Sequence, residues 1–231
     1  MKPAHARTFV ARITSSHCGT KGIERSFCTV YMRSHKEFAM PWEKQFNRQE
    51  ALDTALQAFW SRGYEPTSMQ DLVDCTGVNR GSLYATFGDK RTLFLEALNA
   101  YDQGRRKMLA AFEARHTPRE AIRQVFLAFT TEISERGGNR GCFLTNTALE
   151  LAAHDAEIRR IVSNAQEDVE AFFSRMIKTG KAKGNIPGHV KPAETARGLL
   201  ASLLGVLVLT RSRPDRKLLQ GIVDDALRRL E

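Results

Sequence analysis

Apolar residues recur every three or four positions through most of the chain, which is the spacing of one buried face of an α-helix. The pattern begins after Asn47 and continues to the last residues, and no segment alternates apolar and polar residues as a half-buried strand would. The sequence therefore predicts an all-α fold. Its helices are expected over residues 47–63, 67–77, 79–87, 89–115, 118–136, 142–153, 156–183, 192–211 and 215–230.

Capping residues divide the first part of this pattern into short helices. Asn47 with Glu50 has the form of a capping box, and Thr67 with Gln70 has the form of a second one. Gly77 can adopt the positive φ of a tight turn between the second and third helices. Three short helices with such a turn before the last one describe a helix-turn-helix. Further N-cap candidates are Asn79 and Asp89.

The run ALDTALQAFWSRGYEPTSMQDLVDCTGVNRGSLYATFGDKRTLFLEAL, residues 51–98, resembles the DNA-binding domain of tetracycline-repressor (TetR/AcrR) family regulators. The resemblance implies an N-terminal three-helix helix-turn-helix domain, assigned to residues 40–92. It also implies a C-terminal helical ligand-binding and dimerisation domain over residues 93–231. The positions that carry it are Phe59, Gly63, Thr67, Ser68, Leu72, Gly77, Val78, Leu83, Tyr84, Phe87 and Lys90.

The third short helix is the expected recognition helix. Arg80 is suited to guanine in the major groove, and Gly81, which lacks a side chain, allows the helix to approach the groove closely. Tyr84 can donate to a phosphate, and Lys90 adds an ammonium group at a helix start, where backbone donors also favour phosphate. We expect double-stranded DNA to be contacted by Thr67, Ser68, Arg80, Gly81, Ser82, Tyr84, Thr86 and Lys90.

Residue type and net charge alone do not establish this interface. Thr67 has an alternative role as a helix cap, and Tyr84 as a partly buried core aromatic. The formal net charge is +9, but residues 40–90 hold five basic and seven acidic residues. Much of the excess lies in residues 1–39, with seven basic and two acidic residues. The DNA-binding prediction therefore rests on specific positions.

Residues 1–39 show no sustained helical or strand periodicity. Their acid-poor, Arg- and Ser-containing composition has a weak likeness to a transit peptide. We interpret them instead as a flexible extension or the product of a mis-assigned start, because Met40 begins a stretch typical of a natural start. This segment is expected to be dispensable for folding.

The four cysteines are scattered and fit the reducing cytoplasm of a bacterium better than a disulfide framework. Nine residues separate Cys18 from Cys28, unlike the paired ligand spacing of a zinc finger. We therefore expect neither a metal nor a cofactor, and a cytoplasmic protein that associates with the nucleoid when bound to DNA. The candidate zinc ligands by residue type alone are His17, Cys18, Cys28 and His35.

The second half of the chain is expected to hold an unknown small-molecule effector and to form a homodimer. Its aromatic residues could line an apolar cavity or could simply form the core. The apolar stretch Gly198–Leu209 is short for a membrane span, so the final two helices are expected to form a dimer interface rather than to enter a membrane. The candidate cavity residues are Phe112, Phe126, Phe129, Phe172 and Met176.

Cys142 is a candidate effector sensor. The run RGCFLTNTALELA, residues 140–152, looks like a segment of a branch that includes electrophile- and redox-responsive repressors. A helix start and the nearby Arg140 would both lower the thiol pKa, whereas a buried structural thiol is the alternative. Cys75, in the second short helix, is expected to be buried. An enzyme using Cys142 with His154 as base is disfavoured, since the two would lie about 18 Å apart on one helix. We therefore expect a transcription regulator, not an enzyme: a repressor released from a palindromic operator by a small-molecule or electrophile effector.

Overall fold

The structure is a computed structural model that describes residues 46–130 and 140–231. Over these ranges the chain forms nine α-helices and no β-strand, which confirms the all-α prediction. The extension, the candidate zinc ligands and the end of the helix expected over 118–136 lie outside the described residues. The helices are α1 Arg48–Arg62, α2 Met69–Thr76, α3 Arg80–Phe87, α4 Lys90–Arg115, α5 Pro118–Thr130, α6 Phe143–Leu151, α7 Ala156–Ala182, α8 Pro192–Ser212 and α9 Arg216–Arg228.

Three short polar side chains begin helices where the sequence predicted them. Asn47 accepts hydrogen bonds from the first turn of α1. Asn79 accepts from the backbone N–H of Ser82 at 2.8 Å, and Asp89 accepts from that of Thr92 at 2.7 Å. Each bond satisfies a backbone donor that has no partner within its own helix, and such caps stabilise the start of the helix.

The capping box at the start of α2 lies one residue later in the chain than expected. Ser68, not Thr67, is the N-cap: its hydroxyl accepts from the backbone N–H of Asp71 at 3.1 Å, and the Asp71 carboxylate accepts from the Ser68 backbone N–H at 2.8 Å. Thr67 is fully buried, and its hydroxyl donates to the carbonyl of Gly63 at 2.7 Å. Because that bond turns Thr67 inward, the capping role passes to the next residue.

A row of aromatic rings runs from α1 through α4 to α6. The Phe59 ring meets Phe94 edge to face at a centroid distance of 5.1 Å. Phe94 and Tyr101 then meet Phe143 at 5.6 and 5.8 Å. Such pairs add to the energy of apolar burial. The helix-turn-helix and the helices that follow therefore share one core, and α4 crosses the boundary expected after residue 92.

The last two helices pack together, and α8 also packs on α5 and α7. α8 is the one helix of the described residues that is long and apolar enough to cross a membrane by length and composition. A third of its most apolar window is buried within the chain. Leu200, Leu204 and Leu209 are half-buried, and Val208 is 39% exposed. Leu200, Leu204 and Val208, spaced four residues apart, therefore form an apolar face of α8 that the monomer's own core leaves partly uncovered.

Candidate nucleic-acid interface and effector cavity

The turn between α2 and α3 fixes which face of α3 is outward. Gly77 ends α2 in the left-handed region at φ 68°, and α3 begins three residues later. Val78, Leu83 and Phe87 are all buried in the shared core. The opposite face of α3 is accessible, with Arg80 and Gly81 exposed, Tyr84 43% exposed, and Ser82 and Thr86 half-buried.

Arg80 stands at the first turn of α3 and reaches across to α2. Its Nη2 donates to the Gln70 side-chain oxygen at 3.3 Å, and the Gln70 amide in turn donates to Asp74 at 2.8 Å. The guanidinium is thus oriented by a neutral amide, and its charge and remaining donors face solvent. Gln70 was not predicted as a partner of Arg80. Its exposed polar position in the first turn of α2 was the available signal.

The expected phosphate contacts divide into two kinds. Lys90 lies over the Tyr64 ring, with Nζ 4.2 Å from the ring centroid, and Nζ also donates to the Glu65 carbonyl at 3.4 Å. Its ammonium therefore lies beside the loop that leads into α2. Ser68 is exposed at the start of α2. Thr67 is buried with its hydroxyl engaged, so its side chain supports this loop from within.

A cavity of about 50 Å³ lies among α4, α5, α6, α7 and α8. Its walls are almost wholly apolar, and two of the predicted effector residues, Phe129 and Cys142, line it. Phe126, Phe172 and Met176 are instead packed in the core away from this cavity. Phe112 is half-buried and lies beside the His116 ring, at a centroid distance of 6.1 Å.

Cys142 immediately precedes α6. Its side chain is buried and lines this cavity. Burial raises the pKa of the neighbouring Tyr101 hydroxyl well above its usual range, and the adjacent Cys142 side chain raises it further. Arg140, the cation expected near this thiol, contacts α1. Its guanidinium lies 4.7 Å from the Trp60 ring centroid and donates to Gln57 at 2.7 Å. The Cys142 side chain therefore lies against the cavity and not at the protein surface.

Two other expectations concerning reactive side chains have clear outcomes. His154 is exposed beyond the end of α6, whereas Cys142 is buried before its start, and a nine-residue helix is about 13 Å long. Cys75, expected to be buried, is exposed on α2, which corrects that prediction. α2 is short and only one of its faces meets the core, so the Cys75 position falls on the rim. No group of three or more His, Cys, Asp or Glu side chains in the described residues could hold a metal ion.

α6 is tied directly to the helix-turn-helix. Both oxygens of the Glu150 carboxylate accept backbone N–H groups of the loop before α2, from Tyr64 at 3.2 Å and Glu65 at 2.9 Å. At the other end of the segment, the Trp60 indole donates to the Gly141 carbonyl at 3.1 Å. Local sequence patterns do not predict this connection, because the partners lie more than eighty residues apart in the chain.

A second link joins the start of α4 to the start of α7. Arg91 donates to Asp155 at 2.8 Å and to Glu157 at 2.9 Å. Hydrogen bonds from the backbone N–H of Ile158, followed by the bond from Arg91, hold the pKa of Asp155 below its usual value. The elements that enclose the cavity are therefore joined to the elements that present α3.

Comparison with known proteins identifies both halves of the chain. Residues 51–97 match the family described as bacterial regulatory proteins, tetR family. Residues 118–224 match the tetracyclin repressor-like C-terminal domain. The HTH-type transcriptional regulator YezE of Bacillus subtilis (strain 168) is 32% identical over 186 residues, covering 80% of this chain and 96% of YezE.

Two further relatives carry functional descriptions. The HTH-type transcriptional repressor ComR of Escherichia coli (strain K12) is 29% identical over 194 residues, covering 80% of this chain and 89% of ComR. A solved structure of a cysteine-substituted TetR family regulator, CifR, with 26-base-pair double-strand operator DNA is 28% identical, with a TM-score of 0.70. It covers 80% of this chain and 97% of that one. The chain belongs to the tetR family of bacterial regulatory proteins.

Proposed function

We propose that this protein is a cytoplasmic transcriptional repressor that binds a near-palindromic double-stranded operator as a homodimer. A small molecule or electrophile in the cavity releases it. The observation that carries the proposal is the division of α3 into two faces. Leu83 and Phe87 anchor it in the core, while Arg80, Gly81 and Tyr84 remain accessible. A helix fixed in this way can enter a major groove as a rigid unit. The CifR complex with operator DNA supports the same use of the fold.

The homodimer follows from the uncovered apolar face of α8. The face continues onto α9, where Leu218 and Ile222 are half-buried. Apolar surface of this kind is typical of obligate interfaces, which resemble a protein core. A two-fold dimer would present two copies of α3 at a fixed separation and would match an operator with two-fold symmetry.

We propose that α6 transmits the effect of ligand binding from the cavity to the helix-turn-helix. Cys142 lines the cavity, the adjacent Gly141 binds Trp60 of α1, and Glu150 binds the loop before α2. An effector that changes the packing at the start of α6 would shift both contacts together. It would favour a dimer in which the spacing of the two recognition helices no longer fits the half-sites.

An electrophile that alkylates Cys142 is the covalent version of this mechanism. The cavity beside the thiol supports it, because the added group would occupy that cavity rather than solvent. Thiolate is the reactive form of the side chain. A non-covalent ligand in the same cavity would act through the same contacts of α6.

Binding-site selection with purified protein and sheared genomic DNA tests the proposal. We expect enrichment of a small set of fragments that share an inverted repeat, and loss of that enrichment in Arg80→Ala. If the wild-type protein recovered all fragments equally, that result would contradict a sequence-specific regulator. Robust hydrolase or transferase turnover by the purified protein would favour an enzyme instead.

A further inference from the structure

Arg105 is a buried cation in the wall of the cavity. Its side chain is 8% exposed. Nε donates to the Asp102 carboxylate at 2.7 Å, and Nη2 donates to Asp168 at 3.0 Å. Arg106 binds the same two carboxylates from the outer side, at 2.8 Å each, but it is 55% exposed and does not line the cavity.

One nitrogen of the Arg105 guanidinium is unpaired. Nη1 is buried and has no hydrogen-bond partner among the described residues. Buried donors are almost always satisfied in folded proteins, because an unmet N–H loses its hydration without compensation. Thr145 and Gln166 also belong to the wall, but almost all of its accessible surface is apolar. Because Arg105 lines the cavity, a ligand that carries a hydrogen-bond acceptor could satisfy Nη1.

Charge determines what kind of acceptor fits. Asp102 and Asp168 balance Arg105 and Arg106, so the cluster is formally neutral before anything enters. A carboxylate ligand would bring an uncompensated negative charge into a low-dielectric site, which is costly. A carbonyl oxygen accepts the hydrogen bond without that charge.

Size and shape narrow the occupant further. The volume of about 50 Å³ is roughly a third of the ~150 Å³ apolar cavity known to bind benzene, which restricts the ligand to a few non-hydrogen atoms. Met108, a flexible side chain in the wall, can adjust to a slightly larger molecule. We propose that this cavity binds a small neutral carbonyl compound, an aldehyde or ketone, whose oxygen accepts from Arg105 Nη1. The inference rests on the proposed effector role of the cavity and names its ligand class.

Three probes of five non-hydrogen atoms test this in full-length protein without DNA. Butanone has the carbonyl, 2-methylbut-1-ene replaces the oxygen with CH₂, and propanoate replaces the ketone with a carboxylate. Affinities are measured by ligand-observed NMR titration. We expect butanone to bind about tenfold more tightly than the alkene, as one hydrogen bond to a charged donor predicts, and more tightly than propanoate. Equal affinity for butanone and the alkene would overturn the proposal, as would a preference for propanoate or the absence of butanone binding.

Arg105→Lys and Arg106→Lys are the matched variants. Both keep a positive charge beside the same two aspartates, but only Arg105→Lys removes Nη1 from the cavity. We expect butanone affinity to fall about tenfold in Arg105→Lys and to stay unchanged in Arg106→Lys. Equal affinities in the two variants would overturn the assignment. If circular dichroism indicates that Arg105→Lys does not fold, the butanone-to-alkene ratio of the wild-type protein decides.

Operator affinity is measured separately with and without butanone. Tight, Arg105-dependent butanone binding with no change in operator affinity would leave the carbonyl site intact and remove the effector role. Failure of the protein to bind any operator would contradict the proposed function, but it would not change the measured affinity for butanone. The two failures are therefore distinguishable.

Discussion

The Glu150 carboxylate on α6 accepts the backbone N–H of Tyr64 at 3.2 Å. The same carboxylate accepts from the next residue of the loop, so one side chain of α6 holds two main-chain donors just before α2. Gly63 allows this approach: a Cβ there would come within 2.9 Å of a Glu150 oxygen, and its φ of +97° favours glycine. The loop geometry of the DNA-binding unit is thereby set from the other half of the chain.

Removal of that carboxylate should loosen the loop. Glu150→Ala is expected to destabilise the protein by about 1.5–3 kcal/mol, since it leaves two backbone donors without a charged acceptor. Amide hydrogen exchange at Tyr64 should accelerate in the variant. The control is Leu149→Ala, which alters the adjacent and 73% exposed position of α6. Equal exchange at Tyr64 in the two variants would contradict the proposed link.

Asp155 provides a pH-dependent test of the link between α4 and α7. Its folded-state pKa is lowered by backbone hydrogen bonds, chiefly from Ile158, and by Arg91. Because this pKa is lowered, the ionised carboxylate stabilises the fold at pH values above the unfolded-state pKa of about 3.9. The contribution is lost as the pH falls through the folded-state pKa. Asp155→Asn should therefore be less stable than wild type at pH 6, and the difference should shrink below pH 4. Thermal melts at several pH values measure it.

The control for that comparison is Asp224→Asn, which removes one negative charge from an exposed position on α9. A difference between wild type and Asp155→Asn that stays constant from pH 6 to pH 3 would contradict the assigned role of the carboxylate.

Covalent release should depend on Cys142. The exposed Cys75 lies within the DNA-binding unit, so its alkylation could block the operator directly. The comparison is therefore made in a Cys75→Ser background. Acrolein, a Michael acceptor small enough for the cavity, should release operator DNA from that protein by adding to the thiol, and the further change Cys142→Ser should abolish release. Equal release from both proteins would identify Cys142 as a structural thiol.

The apolar face of α8 should hold the dimer together. Val208→Glu places a charge on that face and is expected to shift the protein toward monomer in sedimentation equilibrium at micromolar concentration. Leu149→Glu adds the same charge to another exposed apolar position, on α6, and should leave the dimer unchanged. A wild-type monomer, or equal behaviour of the two variants, would contradict the proposed interface.

Local signals in the sequence predicted the helices and the outward face of α3. Asn79, Gly77 and Leu83 act through neighbours a few residues away, so capping, turn and periodicity rules apply to them directly. The contacts that join the halves, such as Glu150 with Tyr64, depend on tertiary packing between distant segments. The same holds for the cavity wall, because periodicity marks Phe126 and Phe129 alike as inward, whereas only Phe129 reaches the cavity.

The most direct test of the central claim is operator affinity measured by fluorescence anisotropy over a range of salt concentrations. Arg80→Ala should weaken binding to the selected operator by about 1–3 kcal/mol and relax its sequence preference. Lys90→Ala should weaken binding to all sequences alike and reduce the salt slope by about one. Lys178→Ala, at an exposed position on α7, is the control and should bind like wild type. Wild-type affinity and salt slope in both Arg80→Ala and Lys90→Ala would contradict α3 as the recognition helix.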